Sequence, residues 1–179
     1  MYLFGGWDGK NYLANVYEYN PDLDAWERKT DMPTARAFAG AAPIDGKIYV
    51  VGGYDGSKPL GVSEVYSPEL DIQKQNSWEK SASFEGAVYR MGVSSLAESL
   101  FLIGGVGPNS GTAIPFLEFN QRLNQWQSFN SLLDISASSF SFVSYGNDIL
   151  MLGGRVNGQI SPIVRSYRVF YTISVPLVH

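Results

Sequence analysis

The 179 residues contain no cysteine, which excludes disulfides, a thiolate nucleophile, cysteine-type zinc sites and iron–sulfur clusters. That absence fits a reducing or an oxidising compartment equally. The only histidine, His179, is the last residue, so the interior lacks the commonest general base and metal ligand, and a Ser-His-Asp arrangement cannot be built there. No metal and no cofactor is expected. Positive charge is scarce: 13 Lys and Arg stand against 17 Asp and Glu, a net −4, and no summed field exists to hold a phosphate backbone. Nucleic acid is not an expected partner. No apolar run approaches the roughly 18 residues of a spanning helix, and Met1 leads into Tyr2-Leu3-Phe4-Gly5-Gly6 without a charged region and an apolar one after it, so neither anchor nor signal is expected.

What is present is a repeat. The 45% hydrophobic content can furnish a core, and it is distributed periodically. Paired glycines close four hydrophobic runs, at Gly5-Gly6, Gly52-Gly53, Gly104-Gly105 and Gly153-Gly154, with first glycines 47, 52 and 49 positions apart. An aromatic residue and then a tryptophan follow three of the pairs: Tyr19 with Trp26, Tyr66 with Trp78, Phe119 with Trp126. Two of these intervals are seven residues and the middle one is twelve. The five extra residues fall around 70–75, a polar stretch that reads as a surface-loop insertion. The fourth unit has Tyr167 but no tryptophan seven positions on, and reads as a divergent terminal repeat.

Within each unit the segments are short, rich in β-branched and aromatic residues and divided by turn chemistry, as antiparallel strands are. In the second unit, strands are expected over residues 35–43, 47–51, 62–66 and 77–80, with Asp45-Gly46 as a two-residue hairpin turn. Corresponding turns are expected at Glu98-Ser99 and Asn147-Asp148, preceded by small-residue strands over 91–96 and 137–145. Strands of Ala, Gly and Ser, such as Ala37-Phe38-Ala39-Gly40-Ala41-Ala42, suit a crowded centre and are assigned innermost. Four strands per 47 to 52 residues describe a propeller blade.

The order Arg36, Asp45-Gly46-Lys47-Ile48-Tyr49-Val50-Val51-Gly52-Gly53-Tyr54-Asp55-Gly56, Glu64-Val65-Tyr66-Ser67-Pro68 and Trp78 resembles a kelch repeat, and the period of about 50 favours kelch over WD-type blades. The resemblance covers essentially the whole chain and implies an all-β kelch-type propeller. Four-stranded antiparallel blades are expected at about 1–33, 34–84, 85–133 and 134–179, the first lacking its inner strand, fifteen strands in all. Kelch propellers generally close with five to seven blades, so the chain is expected to form an open arc. Its exposed ends call for a cover, either a second copy in a homo-oligomer or missing upstream blades. The segment 166–178 is expected to supply outer strands of the last blade or to cross to the first.

Function on a repeat scaffold resides where units differ. The loops after the glycine pairs carry Trp7, Asp8 and Tyr12, then Tyr54 and Asp55, then residues 106–111, then Arg155; they are expected on one face of the disc. These residues could form a rim for a peptide or glycan, or the Asp-Gly pairs could simply form turns beneath covering aromatics. Arg36 and Arg90 precede the inner strands at what look like matching places, sixteen and fourteen residues before a glycine pair, and Ser138 and Ser139 occupy the third such site. By resemblance this neighbourhood faces the central channel, so both arginines could line a pocket for an acidic ligand; a structural arginine bonding to carbonyls is the alternative. The regular recurrence of Tyr19, Trp26, Tyr66, Trp78, Phe119 and Trp126 assigns them to packing between blades.

The double glycines open no helix and match no phosphate-binding motif. Copper-oxidase chemistry, known among kelch folds, needs histidine ligands and a cysteine-modified tyrosine, and is excluded. An epimerase-like enzyme acting on an acidic sugar could use Arg36, Arg90, Glu85 and Glu98, but no paired carboxylates at a defensible spacing are found. The reading favoured by the sequence is a non-catalytic scaffold that binds a protein or carbohydrate through loops on one face.

Overall fold

A computed structural model describes residues 1–108, 116–129 and 137–168. Strands β1 (Tyr2–Trp7), β2 (Tyr12–Asn20) and β3 (Ala25–Lys29) form a first antiparallel sheet in sequence order. A second sheet holds β4 (Gly40–Ile44), β5 (Lys47–Val51), β6 (Ser63–Tyr66) and β7 (Trp78–Ser81), and a third holds β8 (Gly92–Leu96), β9 (Ser99–Ile103), β10 (Phe116–Asn120) and β11 (Gln125–Phe129). The fourth unit divides. β12 (Ala137–Ser138) pairs with β15 (Arg155–Val156) and β16 (Gln159–Ile160), while β13 (Ser141–Tyr145), β14 (Asp148–Leu152) and β17 (Val164–Arg168) make a separate sheet. The first three sheets are up-and-down meanders, as short strands joined in sequence allow, whereas in the fourth unit β12 pairs with β15 and β14 with β17 across intervening strands; the architecture is an open propeller of antiparallel blades.

Turn chemistry places the hairpins. Asp45 (φ 47°) and Gly46 (φ 72°) join β4 to β5 as the sequence suggests. The other two turns fall one residue earlier than expected, at Ala97-Glu98 and Gly146-Asn147, because Ser99 and Asp148 are paired in their strands, opposite Leu96 and Tyr145. Ala97 and Gly146 take the positive φ, 52° and 59°. The inner segments are also shorter than expected. Residues 35–39 form an approach ahead of β4, and 137–145 is broken at Ser139, whose φ of 57° ends β12. The polar insertion folds into a one-turn helix, α1 (Pro68–Ile72), with proline in its first turn, where a missing N–H costs nothing.

Successive sheets stack face to face. Val16, Tyr2 and Phe4 of the first pack with Val50, Tyr66 and Trp78 of the second. Tyr49, Val51 and Val65 of the second meet Leu100, Leu102, Leu117 and Phe119 of the third. Phe101, Ile103 and Phe116 of the third meet Ile149, Phe142 and Tyr167 around the fourth. The small inner strands are where the sheets crowd: a Cβ on Gly92 would stand 2.6 Å from the Phe142 Cβ, and one on Gly40 would collide with Val93. The expected strand use of residues 169–178 and the third inter-repeat loop at 109–111 lie outside the described residues.

Candidate functional site

The glycine pairs join one blade to the next. Gly6 N–H donates to the Arg36 carbonyl (2.9 Å), Gly53 N–H to Val88 (2.8 Å) and Gly105 N–H to Ala137 (2.7 Å). The preceding glycine of each pair lies against that same carbonyl at positive φ, and a Cβ on Gly52 would stand 2.6 Å from the Val88 oxygen. Only glycine satisfies both conditions. The three carbonyls define the true correspondence between repeats. Arg36, Val88 and Ala137 are equivalent, each sixteen residues before its own glycine pair.

It follows that Arg36 and Arg90 do not occupy matching places. Arg90 corresponds to Phe38 and Ser139, two residues further on; all three adopt φ 57°. They are linked in series, Arg90 N–H donating to Phe38 O and Ser139 N–H to Arg90 O, each at 2.9 Å. This left-handed conformation is uncommon for residues with side chains, and its recurrence in the second, third and fourth units makes it part of the inner ring.

The two arginines differ accordingly. Arg36 is fully buried: its Nη2 lies 2.7 Å from Glu64 Oε2, and its Nη1 donates to the carbonyls of Gly52 (2.9 Å) and Val62 (3.3 Å). Thr34 Oγ1 donates to the other Glu64 oxygen at 2.6 Å. Burial presses the guanidinium below its usual pKa, and the Glu64 charge and hydrogen bond oppose that. Arg90 is exposed, makes no ion pair among the described residues, and lies over two rings, 4.8 Å from the Phe38 centroid and 5.6 Å from that of Tyr89. A depression of about 270 Å³ lined by Phe38, Arg90, Met91, Ser139 and Phe140 opens beside it.

An aromatic run leads away from this point. Phe38 and Tyr89 are 6.3 Å apart, Tyr89 and Tyr54 5.2 Å, and Tyr54 and Tyr12 5.6 Å. It spans three blades because Tyr54 is bridged to Ala37, Tyr89 to Val106, and Tyr12 lies over Gly56 of the next loop. Trp7 pairs with Tyr12 across β1 and β2 and is 56% exposed. Asp8 and Asp55 hold their own loops. Asp8 Oδ1 accepts the N–H groups of Lys10 (2.8 Å) and Asn11 (2.6 Å), and Asp55 Oδ1 those of Ser57 and Lys58, both at 2.8 Å. Both carboxyls are held below the usual range by those bonds, chiefly from Asn11 and Lys58. Arg155 Nη1 donates to Gly158 O at 2.9 Å and closes the β15–β16 hairpin.

The structure thus brings Tyr12, Tyr54 and Arg90 together and adds Phe38 and Tyr89, which the sequence reading did not single out. Counting fourteen residues back from each glycine pair would have found Phe38. Glu98 sits at the far end of β8 from Arg90 and pairs with Arg122 at 2.6 Å, and Glu85 is exposed, so the four charged groups considered for an enzyme do not converge. A larger groove of about 850 Å³ between β3 and α1 contains Arg28, Lys29, Asp31, Asp71 and Lys74. Its charges are mostly satisfied locally, with Arg28 to Asp31 and Lys29 to Glu18 and Glu27 all at 2.9 Å.

The repeated tryptophans divide by position. Trp78 Nε1 donates to Thr30 O and Trp126 Nε1 to Ala82 O, each at 3.0 Å and each reaching the preceding blade. Trp26, in the first blade described, is 50% exposed. The model of the Kelch motif matches residues 1–33 and again 35–85. No curated protein matches the chain. The motif is thus matched in tandem over the first two units, and its glycine, aromatic and tryptophan positions do the same structural work in the third, so the chain carries kelch repeats.

Proposed function

We propose that this chain is a non-catalytic binding scaffold whose ligand, a segment of another protein, lies along the run from Tyr12 through Tyr54 and Tyr89 to Phe38 and places a carboxylate on Arg90. Kelch repeats generally build protein-binding propellers, and the observation that favours this face is the Arg90 guanidinium. It lies over two rings, exposed, and unpaired among the described residues. The rings hold the cation in place while leaving N–H groups free for a carboxylate, and they offer rigid apolar area at small entropic cost. Trp7, paired with Tyr12, and Arg155, paired with Ser138 next to the Ser139 of the depression, are taken to extend the same face. Asp8 and Asp55 contribute indirectly, by holding the loops on which Trp7, Tyr12 and Tyr54 stand.

A peptide-display library and a panel of neutral oligosaccharides, each presented to the wild-type chain and to Tyr54→Ala and Arg90→Ala, test this. Peptides carrying Asp or Glu next to an apolar residue should be selected, and both substitutions should abolish their binding. Selection of sugars alone, or of peptides that bind both variants unchanged, contradicts the proposal.

A further inference from the structure

The bend at Phe38, Arg90 and Ser139 is imposed on the chain from both sides. The residue before it, Ala37, Tyr89 or Ser138, is bridged to the residue that follows the glycine pair of its own unit, Tyr54, Val106 or Arg155. Two residues after it, Gly40, Gly92 and Ser141 begin the inner strands β4, β8 and β13, and a Cβ on Gly40 or Gly92 would collide with the next sheet. Between these fixed points the backbone takes φ 57° in all three units. Glycine meets that demand without strain, and none of the three units uses it.

The side chains standing there stay at the surface: Phe38 is 41% exposed, and Arg90 and Ser139 are exposed as well. Asp24, Asp45, Asn124 and Asn157 also take positive φ, but they lie in turns and are the residue types that tolerate it. A phenylalanine and an arginine are not. Strain held at exposed side chains points to contact with something outside the fold. The three positions follow one another along a line of hydrogen bonds, Arg90 N–H to Phe38 O and Ser139 N–H to Arg90 O, and together they border the depression of about 270 Å³ that Met91 and Phe140 also line. That volume is below the size of a pocket for a whole small molecule and suits a single side chain.

We infer that these three positions set the ligand specificity, one feature per unit: Phe38 reads an apolar side chain seated in the depression, Arg90 a carboxylate, and Ser139 a polar group beside that carboxylate. The inference rests on the protein-binding face proposed above and adds the rule by which that face chooses among peptides: adjacent apolar, acidic and polar side chains. Because bridges and strand starts hold the bend from outside, exchanging the side chain at one of these positions changes the choice of ligand and leaves the blade as it is.

Peptide display against the wild-type chain, Ser139→Arg and Arg90→Glu tests this. Ser139→Arg should select a second acidic residue beside the first, and Arg90→Glu should select Lys or Arg where the wild type selects Asp or Glu, each with an unchanged far-ultraviolet circular dichroism spectrum. Glycine and alanine variants at the three positions supply the second readout. Both lack the side chain and only glycine relieves the bend, so each glycine variant should melt about 2–4 °C above its alanine counterpart. Phe38→Gly, which removes strain, should nonetheless bind the selected peptides about tenfold more weakly than the wild type. Unaltered selection by Ser139→Arg and Arg90→Glu, glycine variants that bind as the wild type does, or alanine variants that melt as high as glycine ones overturn the inference. If Tyr54→Ala still abolishes binding in that case, the proposed face stands without it, and a wild-type chain that selects no peptide overturns both.

Discussion

Arg36 and Glu64 form an ion pair of 2.7 Å inside the second blade, where both side chains are inaccessible to water. The pair holds the chain that delivers the Arg36 carbonyl to Gly6, so it fixes the joint between the first two blades from within. Removing one partner leaves the other charge buried and uncompensated. Arg36→Ala or Glu64→Ala is expected to cost about 3–5 kcal/mol, whereas Arg36→Met with Glu64→Leu should recover most of that loss. Urea unfolding midpoints of the three variants check this.

The glycines facing a carbonyl should tolerate alanine far less than glycines in open turns. Gly46 has open space around its missing Cβ, so Gly46→Ala should cost only the left-handed strain, about 1–2 kcal/mol. Gly52→Ala adds a clash with the Val88 oxygen and the Met91 side chain and should cost clearly more. Thermal unfolding of the two variants side by side separates strain from collision.

Trp78→Phe and Trp126→Phe keep an aromatic ring in the joint but remove the indole N–H from the Thr30 and Ala82 carbonyls. Each is expected to destabilise the fold by about 1–3 kcal/mol, for the unpaired carbonyl and the lost ring area. Denaturant unfolding followed by circular dichroism measures the loss without relying on the mutated fluorophores.

Architecture was legible in the sequence because it rests on residues the fold cannot replace: the glycine that meets a carbonyl, the tryptophan that reaches the previous blade, the Asp45-Gly46 turn. Register at the centre was less so. Arg36 and Arg90 look alike in composition and differ by two positions, and in an extended segment that difference decides between burial against Glu64 and exposure on Phe38 and Tyr89. Turn positions shifted for a similar reason. Ala97 takes a positive φ although it is neither Gly nor Asn, because Ser99 is already committed to its strand. The aromatic run was half visible: Tyr12 and Tyr54 follow glycine pairs, while Phe38 and Tyr89 come from approach segments that only folding brings beside them.

Acid should loosen the loops that carry Trp7 and Tyr54 at a lower pH than an ordinary aspartate would suggest. The Asp8 and Asp55 carboxyls have depressed pKa values in the folded state, so their contribution is complete above the usual value of about 3.9 and is lost as pH falls through the folded values. The amide resonances of Lys10, Asn11, Ser57 and Lys58 should titrate together with midpoints below about 3.9. Midpoints at or above it would show that the carboxylates do not hold the turns.

The most direct measurement is native-state hydrogen exchange at the amides of Gly6, Gly53 and Gly105. If blades are joined about a common axis through these groups, all three should exchange as slowly as the strand amides of β5 and β9, although each lies beyond the end of a hydrophobic run where sequence alone would place a loop. Exchange at the rate of the exposed Gly9 and Gly158 amides would contradict the stacking of blades on which the fold, the face and the proposed ligand site depend.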